Sequence, residues 1–190
     1  MKDILVPPML SSLVVAGLIG IDGHTFDNLA TCPHCGGEVT GYDYKERKFA
    51  TLIEEGGSRT IRVRVKRFSC RSCGRVSYAE APFYEDANLG APVVDLCVTL
   101  SASMAYNRVS RVLGSMGILV DRGTIRNYSG RDAAAVATTR IYGFLLPLSI
   151  LTLSSFVVNG QGGSVPGAEP VVPRRLPPAD RASSLFPPAE

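Results

Sequence analysis

The stretch RFSCRSCGRVSY, Arg67–Tyr78, sets a Cys-x-x-Cys pair followed by glycine among arginines. Such a pair serves as half of a metal site, as a thiol–disulfide redox pair or as part of a disulfide framework. A second pair weighs among these readings. CPHCGG, Cys32–Gly37, repeats the spacing and the following glycine, with 34 residues between the two pairs. A redox pair of the thioredoxin type needs only one Cys-x-x-Cys in a βαβ setting. A disulfide framework needs an oxidising compartment, for which the N-terminal residues give little support. Cys32, Cys35, Cys70 and Cys73 together have the number and type of ligands of a structural zinc (Zn2+) site, the favoured reading of the three. A glycine after each pair lets the backbone turn tightly and aim N–H groups at thiolate sulfur. His34 lies inside the first pair, where four thiols already complete the ligand set. His24 reads as a turn or surface residue, and Cys97 as a small core residue on an apolar helical face.

The spacer between the pairs has the period of a β-hairpin. Ile61, Val63 and Val65 alternate with Arg62, Arg64 and Lys66, which gives a strand one dry and one wet face. Phe49, Thr51 and Ile53 mark its partner strand, and EEGGS, Glu54–Ser58, marks the turn. A hairpin held by metal at two cysteine turns is a zinc ribbon.

After Ala91 the period becomes helical. Val93, Leu96, Cys97, Leu100 and Met104 form one apolar stripe, with Pro92 in the first turn. Val109, Val112, Leu113 and Met116 form a second, shorter one that stops at Gly117. Asp121 then caps a third helix, with Val120 and Ile125 at the two positions of a hydrophobic staple. Two helices joined by a glycine-containing turn of about four residues describe a helix-turn-helix. With Ile125 and Tyr128 turned inward, Arg122, Arg126 and Asn127 face outward, and these side-chain types grip guanine and adenine edges. An ordinary helical hairpin with a solvated arginine face is the competing interpretation.

The chain has 190 residues and a formal net charge of only +3, so the placement of charge is more informative than its sum. Arg59, Arg62, Arg64, Lys66, Arg67, Arg71 and Arg75 follow one another with no acid between them. Arg108, Arg111, Arg122, Arg126 and Arg131 are opposed within their span only by Asp121. That concentration suits a polyanion, and double-stranded DNA is the expected partner. Arg62, Arg64, Lys66 and Arg67 are placed on phosphates, and Arg108 and Arg111 are counted among the DNA-binding residues.

The order of these parts, CPHCGG then RFSCRSCGRVSY then NRVSRVLGSMGILVDRGTIRNY, resembles the N-terminal DNA-binding region of prokaryotic, archaeal-type insertion-sequence transposases, over about residues 30 to 132. The wording G-I-x-V-x-R-x-T-I-R-N-Y carries most of the likeness. The resemblance implies binding to the terminal repeats of a transposon. It also implies that an RNase-H-like domain follows, cutting DNA through magnesium held by carboxylates. The acids after Arg131 are Asp132, Glu169, Asp180 and Glu190, and they form no such triad. The expectation is therefore a non-catalytic, cytoplasmic, nucleoid-associated DNA-binding protein, a homodimer among its expected forms. An active subunit completed by a catalytic half in trans is a further reading.

Two apolar runs of 18 residues, Ile4–Ile21 and Ile141–Val158, are at the short end of what crosses a bilayer. The first carries Pro7 and Pro8 and no cleavage signal, and Met9–Leu18 reads as a short buried helix. The second, with Gly143 and Pro147, reads as a buried strand-turn-strand or the opening of a truncated core. The alternative is a membrane-tethered zinc-ribbon protein with its span at 141–158. The expected fold is α+β, divided into an N-terminal apolar helix (1–29), a zinc ribbon (30–85), a helix-turn-helix module (90–140), the apolar segment (141–158) and a Pro/Gly-rich disordered tail (159–190).

Overall fold

The structure is a computed structural model that describes residues 6–158. In chain order it contains α1 (Pro8–Gly20), β1 (Thr25–Phe26), β2 (Val39–Glu54), β3 (Gly57–Cys70), β4 (Val76–Tyr78), α2 (Ala91–Ser101), α3 (Tyr106–Ser115), α4 (Arg122–Tyr128), β5 (Thr138–Ile141), β6 (Phe144–Pro147) and α5 (Leu148–Val158). The expected α+β class is observed, with helices following a mixed sheet. The tail expected at 159–190 lies outside the described residues.

The alternation between Ile61 and Lys66 builds the central strand. Ile61, Val63 and Val65 are fully buried, while Arg62 and Arg64 are exposed. β2 pairs antiparallel with β3 from Val39↔Cys70 to Glu54↔Gly57, leaving Glu55 and Gly56 as the turn. The opposite edge of β3 takes two short partners, β1 in parallel and β4 antiparallel. Neither is marked by the sequence period. Strand β2 departs from the expected alternation, because a register shift between Lys48 and Ala50 turns four consecutive residues, Phe49 to Leu52, into the core. Ile53 is exposed as a result.

The bulge matters beyond the strand. Phe49 accepts a hydrogen bond at its carbonyl from the N–H of Gly90 (2.9 Å), and its ring lies where a Cβ on Gly90 would stand, 2.5 Å away. This close approach docks the start of α2 on the sheet. The sequence predicts one apolar stripe on this helix, but every residue from Ala91 to Leu100 is buried. β6, α3, α4 and α5 pack around it. Its single acid, Asp95, accepts hydrogen bonds from Tyr84 Oη (2.5 Å) and Ser149 Oγ (2.6 Å), which ties α5 to α2. Burial, the larger effect, pushes the Asp95 pKa above the usual carboxylate range, although both hydroxyls oppose it.

Helix α1 extends one residue before and two beyond the expected Met9–Leu18, with Leu10, Val14 and Leu18 buried and Met9 itself exposed. Residues 141–158 are not one helix. They comprise the end of β5, the hairpin to β6 and the short α5, which packs against α1. The expected strand-turn-strand is met only in part: the hairpin begins before the segment, at Thr138, and ends at Pro147, and 148–158 is the helix α5. Among the described residues no helix is long and apolar enough to cross a membrane.

Gly90→Ala is expected to lower unfolding stability by about 1–3 kcal/mol in urea titration, because the buried Phe49 ring cannot withdraw. Gly57→Ala, whose added Cβ meets nothing within 4 Å, is expected to shift it by less than about 0.5 kcal/mol.

Candidate metal centre and basic surface

Each Cys-x-x-Cys-Gly segment forms the same turn. In the first, Gly36 N–H donates to the Cys32 carbonyl (2.9 Å) and Cys32 N–H to the Gly37 carbonyl (2.9 Å). In the second, Gly74 N–H donates to the Cys70 carbonyl (3.0 Å) and Cys70 N–H to the Arg75 carbonyl (2.9 Å). Gly36 and Gly74 have φ of 71° and 68°, the left-handed conformation that favours glycine. The hairpin brings these twin turns together, since Val39 pairs with Cys70 and Arg71 N–H donates to the Glu38 carbonyl (3.0 Å).

The sulfurs of Cys32, Cys35, Cys70 and Cys73 all lie within 4.8 Å of one another. Cys32 Sγ is 3.8 Å from Cys73 Sγ, and Cys35 Sγ is 3.5 Å from Cys70 Sγ. Both distances far exceed a disulfide bond of about 2.05 Å. They match the edge of about 3.8 Å expected for a tetrahedron of thiolates at ~2.3 Å from a metal. The N–H groups of Cys73 and Ser72, aimed at Cys70, pull its thiol down to about 6 against partial burial. The Gly37 N–H acts likewise on Cys35, but crowding by the sulfurs of Cys70, Cys73 and Cys32, together with burial, pushes that thiol up to about 12. A cation among them removes this conflict. The four cysteines are therefore a group fit to hold a metal ion. Cys97 is fully buried in α2 and apart from them. His34 is exposed, with Nδ1 3.4 Å from Arg75 Nη1. His24 is half-buried, its ring edge-on to Phe26.

The basic residues divide into engaged and open. Arg67 faces the opposite way from Arg64 and Lys66 and makes a two-pronged contact with Asp43, whose carboxyl it holds below the usual range. Arg131 is largely buried against Asp86 and over the Tyr84 ring. Arg47 donates to the Ala87 carbonyl (2.7 Å) and stacks on Phe83. On the open face, Arg62 is 3.9 Å from Glu46, Arg64 lies over the Tyr44 ring, and Lys66 stands near Tyr44 and Phe68. Arg108 and Arg111 are exposed on α3.

Helix α4 is placed as expected, though the preceding connection, Met116–Asp121, is longer. Ile53 N–H donates to the Gly117 carbonyl (2.9 Å) and Leu119 N–H to the Thr51 carbonyl (2.8 Å), so the connection lies against the outer edge of β2. Val120, Ile125 and Tyr128 are buried; Arg122, Arg126 and Asn127 are exposed. Arg122 Nη1 donates to Asn107 Oδ1 (3.4 Å), and with Arg126 and Tyr106 they line a concavity of about 230 Å³. A second cleft, about 310 Å³, runs between hairpin and helix, with Lys48 on one wall and Asn127, Thr124 and Tyr128 on the other. Lys48 and Tyr44 carry no signal of their own in the sequence, since their place beside Arg62 and Lys66 follows only from the strand register.

One zinc per chain is expected by elemental analysis, lost in Cys32→Ser or Cys70→Ser and retained in Cys97→Ala. Asp121 caps α4 through Thr124, whose hydroxyl and N–H hold the carboxyl below its usual range. Because this pKa is lowered on folding, its stabilisation is present above the unfolded value and is lost as pH falls through the folded one. Asp121→Ala is expected to cost ~1 kcal/mol at neutral pH, and the difference from the parent to vanish in acid denaturation series.

Compared with protein-family models, curated proteins and solved structures, the chain matches none.

Proposed function

We propose that the chain is a zinc-stabilised protein that binds double-stranded DNA. Zinc is the ion that four thiolates in two Cys-x-x-Cys turns suit best, and the closed ligand set makes its role structural. The observation that carries the DNA reading is the cleft shared by Lys48 and Asn127. Lys48 pairs with Arg62 across the hairpin, so the basic sheet face and the outward residues of α4 form one continuous surface. The acids at its rim are already engaged, Asp86 with Arg131 and Asp121 with Thr124.

On this reading Arg62, Arg64 and Lys66 meet phosphates, and Arg122, Arg126 and Asn127 approach base edges. Arg108 and Arg111, one turn apart on α3, extend the positive surface. Zinc holds the hairpin and takes no part in chemistry, and the chain binds DNA without cutting it. The resemblance to the DNA-binding region of insertion-sequence transposases points to a regulator or derivative of a mobile element, cytoplasmic and nucleoid-associated, with terminal repeats as its target.

Arg122→Ala with Arg126→Ala is expected to weaken duplex binding at least tenfold in fluorescence anisotropy, with zinc content unchanged. Affinity should also fall steeply as salt is raised. Unchanged affinity in the double variant would remove α4 from the interface.

A further inference from the structure

We propose that the open face of the hairpin binds single-stranded nucleic acid, with a base stacked on Tyr44 and phosphates on Lys48, Arg62, Arg64 and Lys66. This rests on the nucleic-acid reading above and names a second form of the ligand. Residues directly opposite in an antiparallel pair share a face. The register therefore sets Tyr44 beside Lys66, Glu46 beside Arg64 and Lys48 beside Arg62. Ile61, Val63 and Val65 fill the other face of β3 and are fully buried, so this one is left to a partner.

Its chemistry selects the partner. On the hairpin's open face four cations stand beside Glu46, while Asp22, which accepts from the Arg62 N–H, is paired with Arg59. Glu46 is 3.9 Å from Arg62, with both side chains more than half exposed. A pair so open to water holds its members weakly and leaves the positive field in place. Successive cations on β3 are separated by two residues, about 6.8 Å, on the scale of consecutive phosphates in an extended strand.

Tyr44 distinguishes a single strand from a duplex. The residue is 44% exposed in the midst of this charge, with the Arg64 guanidinium over its ring, 4.9 Å from the centre, and the Lys66 ammonium 5.7 Å away. A duplex presents phosphates but hides the faces of its bases, so an exposed ring gains nothing from it. A single strand offers both. Stacking on aromatic rings inside a basic track is how such strands are held without sequence preference.

The test measures anisotropy of labelled oligodeoxythymidine, oligouridine and a short DNA duplex with the full zinc-loaded chain. Tyr44→Ala is expected to weaken single-strand binding about five- to a hundredfold. Tyr44→Phe should stay within about twofold of the parent, and duplex affinity should not change. Should Tyr44→Ala lower the unfolding midpoint, Tyr44→Leu, which keeps apolar bulk against Arg64, takes its place. A response of either oligonucleotide supports the proposal, and their ratio tells a deoxyribose from a ribose strand. Equal single-strand affinity of parent and Tyr44→Ala overturns it, as does equal loss on duplex and single strand. Duplex binding without single-strand binding also overturns it while leaving the duplex reading intact. Single-strand binding alone, with the Tyr44 dependence, upholds it and ends the duplex reading, and no binding to either ends both.

Discussion

The register of β2 on β3 is the constraint on which everything else in this protein depends. Because side chains alternate between faces, a slip of one residue would carry Ile61, Val63 and Val65 from the core into water. Exposing three such residues costs roughly 5–9 kcal/mol, comparable with the whole net stability of an ordinary domain. The same slip would separate Val39 from Cys70 and pull the two cysteine turns apart. A tight turn at Glu55–Gly56 pins one end of the ladder, and the four sulfurs pin the other. The gathering of the four cysteines and core packing thus require the same pairing.

That pairing also sorts the charges. Of a long series of basic residues, the ladder and its surroundings withdraw Arg67 to Asp43, Arg47 to Ala87 and Phe83, Arg59 to Asp22 and Arg131 to Asp86. What remains open on the hairpin ladder is narrower than the charge run itself, and Arg62, Arg64 and Lys66 share one of its faces. A count of basic residues would treat Lys66 and Arg67 alike. In the ladder these neighbours point opposite ways, and only Lys66 stays on the basic face.

What could be read beforehand follows the range of the forces involved. The glycine after each cysteine pair, the alternation through Ile61–Lys66 and the Asp121 cap are settled within a few residues of chain, and each has the expected form. Features set by remote partners were not legible. The bulge at Phe49 exists where α2 docks through Gly90, and the burial of Asp95 requires Tyr84 and a serine on α5. The apolar segment at 141–158 shows the same limit from another side. Its composition suits lipid and protein equally, and only the α1 and α2 surfaces waiting for it determine that Leu146, Ile150 and Leu153 are buried in a protein core.

The two ends of the hairpin are closed in different ways. Near the turn, β2 is fixed by Phe49 to Leu52 in the core and by the hydrogen bonds from Ile53 and Leu119 that hold the connection to α4. That anchorage does not involve the cysteines. At the far end Val65 and Phe68 are still buried, and beyond them the four sulfurs supply the closure. The stretch from Tyr44 to Lys48 and its partners Arg62 to Lys66 spans the interval between these anchors. Its alignment rests on both: the core, Val63 and Val65 included, sets its position against α4, and the cysteine cluster closes the strands beyond Phe68. The seat of α4 and the register of the basic face beside it are then both properties of the core, and the cysteine turns close the ladder at its outer end.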